Sequence, residues 1–158
     1  MNPKIDIYCD GSCLGNPGCG GWAALLVSCY MGKIYKKLIV GSEINATNNQ
    51  MELTSVIEGF KALKKISNVN IYSDSKYVIE GMKKWITVWR EKKFKKTRNK
   101  TVKNQKLWII LDKLSDKHKV NWLWVKSHSG HPQNEQVDNA AKEAAKKLQS
   151  CYILYNEI

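Results

Sequence analysis

Two segments of the chain end alike: Ile7-Tyr8-Cys9-Asp10 runs into Gly11-Ser12, and Ile71-Tyr72-Ser73-Asp74 runs into Ser75. If both are strands lying parallel and adjacent, side-chain alternation sets Asp10 beside Asp74 at their carboxyl ends, where open α/β sheets place their sites. Two carboxylates that close repel and raise one pKa unless a divalent cation neutralises them. Mg2+ suits such a pair, because it takes oxygen ligands and keeps coordination positions for phosphate. A strand-end Asp taken alone makes a turn or caps a helix, and the echo between two strands weakens that reading without removing it. Glu52 stands near the start of a long helix beside Leu53, and Asp138 stands three residues before Ala141 on the last helix. Both are placed either to converge on the same sheet edge or to act as ordinary solvated helix charges, and spacing does not choose.

The elements that must carry these acids follow from periodicity. Lys4 to Asp10 alternates as a strand and stops at the turn-rich GSCLGNPGCGG. Trp22 to Tyr30 and Ile34 to Val40 flank Met31-Gly32-Lys33 as a hairpin. Thr47 to Lys64 then places Leu53, Val56, Ile57, Phe60 and Leu63 on one helical stripe, and Thr47-x-x-Gln50 matches a capping box. Val69 to Asp74 reads as a strand, Ser75 to Trp89 as a helix, the surroundings of Leu107, Trp108, Leu111 and Leu114 as a second amphipathic helix, and Val120 to Val125 as a strand. An Ala-rich helix carrying Val137, Ala141, Ala144, Ala145 and Leu148 closes the order βββ-α-β-α-α-β-α. The fold class expected is α/β, a mixed five-stranded sheet of three antiparallel strands and then parallel strands, flanked by helices.

The 158 residues, 43% of them hydrophobic, make one domain over 1–158, with a short tail at about 150–158. The 26 basic against 14 acidic residues, a net charge of +12, point to a polyanionic partner, nucleic acid or an anionic membrane surface. MNPKIDIYCD lacks the apolar core of a signal peptide, and Trp22 to Val27 is too short to span a bilayer, so a soluble, untargeted, cytoplasmic protein is expected. Cys9, Cys13, Cys19, Cys29 and Cys151 have neither paired C-x-x-C spacing nor histidines at finger spacing, which reads as reduced thiols.

Together DGSCLGNPGCGG, TNNQMEL, YSDSKYV and VKSHSGHPQNEQVDNAA resemble ribonuclease H of the bacterial type I form, in the same order and at matching intervals from about Ile5 to Leu148. The resemblance implies a ribonuclease H-like fold and endonucleolytic hydrolysis of the RNA strand of RNA–DNA hybrids, leaving 5′-phosphate and 3′-hydroxyl ends. It maps the family's acidic quartet onto Asp10, Glu52, Asp74 and Asp138. It further implies a two-metal scheme with Mg2+, or Mn2+ in its place, in which one ion activates water and the other stabilises the leaving 3′ oxygen. His128 matches the family's mobile-loop histidine, a group able to shuttle a proton or help product leave, and Ser127, Ser129 and Gly130 suit a flexible segment. His131 is expected to fix the loop into the last helix, and His118 to be a solvated helix-end residue.

By the same resemblance Cys13, Asn16, Asn48 and Asn49 border the hybrid's minor groove, where the RNA 2′-hydroxyl can be tested. Thr47 corresponds to a residue contacting a DNA-strand phosphate, alongside its role as helix cap. Gly11 to Gly21 has no G-K-[ST] ending and is no P-loop; Gly18, Gly20 and Gly21 serve either the substrate or simply a turn. From Lys83 to Lys103 ten basic residues meet one acid, Glu91. Lys92, Lys93, Lys95 and Lys96 sit there among Trp85, Trp89 and Phe94. The segment resembles the basic handle of the bacterial enzymes, which grips the duplex by phosphate neutralisation. A solvated charge face and a basic membrane helix are its alternatives, and the quartet argues against the membrane. Trp85 is grouped with the substrate-facing residues, although packing of the handle is the favoured role for its ring. Lys76 stands where many relatives have glutamine near the scissile strand, and Asn45 and Gln50 replace arginines around the phosphate-contacting turn. A non-catalytic hybrid-binding module and another nuclease of this fold, a resolvase or transposase core, are the competing functions. A monomer is expected.

Overall fold

The computed structural model describes residues 2–95 and 100–156. Strands β1 (Lys4–Leu14), β2 (Gly18–Tyr30) and β3 (Lys33–Ala46) precede helix α1 (Asn48–Lys61) and strand β4 (Asn68–Ser73). Then come α2 (Lys76–Glu80), a π-helical turn (Gly81–Trp85), α3 (Ile86–Glu91), α4 (Gln105–Ser115), β5 (Lys119–Trp124) and α5 (Pro132–Asn156). The five strands form one sheet in the order β3-β2-β1-β4-β5. The first three pair antiparallel, whereas β4 runs parallel to both β1 and β5. This is the mixed sheet expected from the alternation of strand and helix patterns.

The strands are longer than the sequence pattern predicts. β1 continues through Leu14 and β2 resumes at Gly18, so the glycine-rich stretch contracts to a short turn. Gly11 pairs with Trp22 and Ser12 with Gly21, which carries the ladder on. A Cβ on Gly11 would lie 2.4 Å from the Glu52 backbone nitrogen, and one on Gly21 would lie 2.0 Å from the Ala141 carbonyl oxygen. These glycines let α1 and α5 press onto opposite faces of the sheet. The β2–β3 hairpin turns through Met31 and Gly32, both with positive φ (50° and 74°), as a two-residue turn matched to strand twist requires.

Helix α1 starts where its chemistry dictates. The Thr47 hydroxyl accepts from the Gln50 amide at 3.3 Å, and Gln50 Oε1 accepts from the Thr47 amide at 3.0 Å, so the capping box is complete. Its apolar stripe, Leu53, Val56, Ile57 and Phe60, is buried against Ile7, Cys9 and Ile71 of the sheet and against Trp108 and Leu111 of α4. On the other face Val137 and Ala141 of α5 pack on Ala23 and Leu25.

Three further expectations change. The single helix over Ser75–Trp89 is interrupted by the π turn, beside which a Cβ on Gly81 would meet the Trp108 ring at 2.1 Å. Helix α5 runs on to Asn156 through the stretch expected as a tail, since no Gly or Pro stops it, and Tyr152 to Tyr155 are exposed on it. His118 is not merely solvated: its Nδ1 accepts from the Ser67 amide at 3.2 Å and its ring stacks on Phe60 at 5.5 Å. Burial, then the neighbouring Lys117 charge, lowers its pKa and favours the neutral, accepting ring. All five cysteines are free thiols. No described helix is long and apolar enough to cross a membrane.

Candidate functional site

The acids meet at the carboxyl end of the parallel strands. Cys9 and Ser73 are the last partners of the β1–β4 ladder, so Asp10, still paired with Ala23 of β2, and Asp74, just past the end of β4, lie side by side. Glu52 comes from the first turns of α1, brought against β1 by the bare backbone of Gly11. One carboxylate oxygen from each of Asp10, Glu52 and Asp74 lies within 4.8 Å of the others.

Their environment favours a cation. Asp10 is 3% exposed, and its Oδ1 accepts from the Gly11 amide at 2.8 Å. Asp10 Oδ2 and Glu52 Oε2 are buried with no hydrogen-bond partner among the described residues. Burial, then the Asp74 charge, pushes the Asp10 carboxyl up to about 7. Burial, then the charges of Asp10 and Asp74, likewise raises Glu52 well above the usual range. Buried, unpartnered oxygens that repel one another are the donor set a hard divalent ion satisfies, so these residues fit the metal that the acids imply.

Asp138 joins them less directly. It lies on α5 outside the tight trio, its Oδ2 bonded to Lys142 Nζ at 2.7 Å, yet its charge contributes to the rise at Asp10. Lys142 is in turn raised, first by its bond to Asp138 and more weakly by Asp10 and Asp74, which locates an ammonium at the rim of the acids. His128 stands on the exposed loop between β5 and α5 with a left-handed φ of 52°. His131 supplies the carbonyl that accepts from the Glu135 amide at 3.0 Å and so opens α5.

The residues expected at the minor groove form a stitched edge. The Cys13 thiol donates to the Ala46 carbonyl at 2.9 Å, and Asn16 Oδ1 accepts from the Asn48 amide at 3.2 Å. With Thr47 at the cap and Asn49 in the first turn, the β1–β2 turn and the start of α1 present one surface. Lys76 lies over the Trp124 ring, 5.1 Å from its centroid.

In the basic segment Trp85 packs in an aromatic cluster, 6.3 Å from Tyr77 and 5.7 Å from Trp89, with Trp89 in turn 5.0 Å from Trp108. Lys92, Lys93 and Lys95 are exposed; Lys96 and Arg98 lie outside the described residues. Arg90 is not a free charge: its guanidinium grips Asp112 on α4, Nε to Oδ2 at 2.9 Å. Four side chains beyond the sequence-based candidates border the site or brace the handle: Ser127, Trp124, Lys142 and Asp112. The Ser127 hydroxyl, inside the VKSHSGH block, is the one signal legible in the sequence; the others depend on which elements become neighbours.

Comparison with known proteins gives a consistent result. The RNase H family model matches residues 2–146. The chain is 49% identical over 141 residues to a ribonuclease H of Novosphingobium aromaticivorans, covering 89% of this chain and 96% of that one. It is 47% identical over 141 residues to a ribonuclease H of Wolbachia pipientis wMel, covering 89% and 94%. Among solved structures, LC9-RNase H1, a type 1 RNase H with the type 2 active-site motif, superposes with a TM-score of 0.85 at 32% identity, over 93% of this chain and 74% of that one.

Proposed function

The chain belongs to the ribonuclease H family and is a hydrolase of that class, and from this premise we propose that it cuts the RNA strand of RNA–DNA hybrids endonucleolytically, leaving 5′-phosphate and 3′-hydroxyl ends. The observation that carries the reading is the convergence of Asp10, Glu52 and Asp74 with buried, unpartnered oxygens. These three acids, with Asp138 at longer range, are assigned to hold divalent ions, Mg2+ by the hardness of the all-oxygen donor set and Mn2+ as its substitute. The chemistry supplied by such ions when bound, two of them in this reading, is activation of the attacking water and stabilisation of charge on the leaving 3′ oxygen.

The remaining roles belong to the chain's own residues. His128, on an exposed turn, is placed to move a proton or help product leave. Cys13, Asn16, Asn48 and Asn49 are assigned to the minor groove, where a 2′-hydroxyl distinguishes RNA from DNA, and Thr47 to a phosphate of the DNA strand. Lys76 is assigned to the backbone near the acids. Lys92, Lys93, Lys95 and Lys96 are assigned to phosphates farther along the duplex, and aromatic packing supports a bracing role for Trp85. The working unit proposed is a single-domain cytoplasmic monomer.

The test uses purified protein with Mg2+ and end-labelled substrates. The RNA strand of a hybrid is cut, double-stranded RNA and DNA are spared, and Asp10→Asn abolishes cutting while hybrid binding persists. No cutting by the wild type with either Mg2+ or Mn2+ rejects the enzyme in favour of a binding module. Cutting of branched or duplex DNA instead favours a resolvase-type or transposase-type nuclease.

A further inference from the structure

We infer that Ser127 is a positioning residue for the acid cluster, holding the Asp74 carboxylate in place and tying to it the turn that presents His128. Its consequence for catalysis rests on the hydrolase reading above; its consequence for ion binding does not.

The hydroxyl of Ser127 donates to Asp74 Oδ2 at 2.6 Å. Asp10 takes its one donor on Oδ1 from the adjacent Gly11 amide, whereas Asp74 is held by a side chain from the loop after β5; Asp10 Oδ2 and Glu52 Oε2 have no donor among the described residues. An aspartate carboxylate turns easily about its last bond. A hydroxyl bound to one oxygen fixes the plane of the group and leaves further lone pairs for a cation. A hydroxyl on a carboxylate oxygen makes a bond of the stronger, charge-assisted kind. The Asp74 backbone is fixed as well: the Trp124 indole donates to its carbonyl oxygen at 3.0 Å, and the Val125 amide donates to the Ser73 carbonyl at 3.0 Å. The end of β4 and the segment leaving β5 are thus joined at three points.

The same bond acts on the loop. Ser127 and Ser129 flank His128; Ser129 closes the turn by donating to the Lys126 carbonyl at 2.6 Å, while Ser127 anchors it to Asp74. Between them His128 has a φ of 52°, a left-handed conformation that a non-glycine residue keeps only where its surroundings hold it. Serines that by composition suit a flexible segment are here the two pins of the turn. An acid of the proposed metal site and the proposed proton carrier are therefore linked through one side chain.

The experiment compares wild type, Ser127→Ala and Ser127→Thr in two arms. The first measures Mn2+ affinity of the substrate-free protein by electron paramagnetic resonance and calorimetry. The second measures kcat and KM on a labelled hybrid at saturating Mg2+. Losing one charge-assisted bond is expected to weaken Mn2+ binding about three- to tenfold and to lower kcat by a similar factor with KM little changed. Ser127→Thr, which keeps the hydroxyl, is expected to restore both. Since Ser127 is exposed, the thermal midpoint of the ion-free variants should stay at the wild-type value, separating positioning from general destabilisation. Unchanged Mn2+ affinity in Ser127→Ala, or a change confined to KM, overturns the inference, as does Ser127→Thr behaving like Ser127→Ala. If the wild type cuts no hybrid while Mn2+ affinity still depends on Ser127, the hybrid-cutting reading falls and the positioning role stands.

Discussion

Replacing Asp10 by Asn separates the electrostatics of the acid cluster from its chemistry. Asp10 is almost wholly buried, and burial with the facing Asp74 charge raises its carboxyl from 3.8 to about 7. Between those two values the folded protein keeps a proton that the unfolded chain has lost, so stability falls as pH rises. The contribution is intact below about pH 4 and is gone once pH has passed about 7. At about 1.4 kcal/mol per pH unit, the interval amounts to about 4 kcal/mol in the ion-free protein. Glu52 is raised in the same direction by burial and by Asp10 and Asp74, which steepens the wild-type decline. Asparagine is neutral throughout, and its side-chain oxygen can still accept the Gly11 amide bond made by Asp10 Oδ1. Urea unfolding in chelator should therefore give the two proteins similar stability near pH 4, and a variant more stable by up to about 4 kcal/mol near pH 9. Adding Mg2+ near pH 9 should raise the wild type and leave the variant largely unmoved, because an ion that binds only the folded state stabilises by mass action. A stability difference that does not change with pH, or a variant less stable than the wild type at alkaline pH, would refute the account of mutually repelling buried carboxylates.

Two further outcomes are expected. Converting Lys92, Lys93 and Lys95 to Gln should weaken hybrid binding and flatten its dependence on log salt by roughly 0.7–0.9 for each phosphate no longer neutralised; an unchanged slope assigns these lysines to solvation. Thr47→Ala removes the hydroxyl half of the capping box and should cost about 1 kcal/mol in urea unfolding, with Thr47→Ser recovering most of it.

How much of the fold is legible in the sequence depends on how local its causes are. Helix α1 is readable because its cap, Thr47 with Gln50, and its stripe from Leu53 to Phe60 are properties of neighbouring residues. The continuation of β1 and β2 through the glycine-rich stretch is not: glycine favours turns locally, whereas pairing of Gly11 with Trp22 and of Ser12 with Gly21 makes these residues strand, and the approach of Glu52 and Ala141 leaves no room for a side chain there. The π turn begins where Gly81 passes against the Trp108 ring, and the role of His118 depends on Ser67 and Phe60, partners distant in the chain. By composition the basic segment is almost wholly free charge, yet Arg90 is committed to Asp112, a partner that no short-range pattern reveals.

Residue types together with the family resemblance single out the candidate groups: four acids in recognisable motifs, a histidine in a serine-rich turn and a cluster of lysines. How these groups act together is a tertiary matter. Folding brings Asp10, Glu52 and Asp74 within 4.8 Å, places Asp138 against Lys142, and sets Ser127 on Asp74. Those relations hang on strand register, on close approach at bare glycines and on loops meeting across the sheet. Such distances are set by packing between distant segments, which local periodicity does not encode.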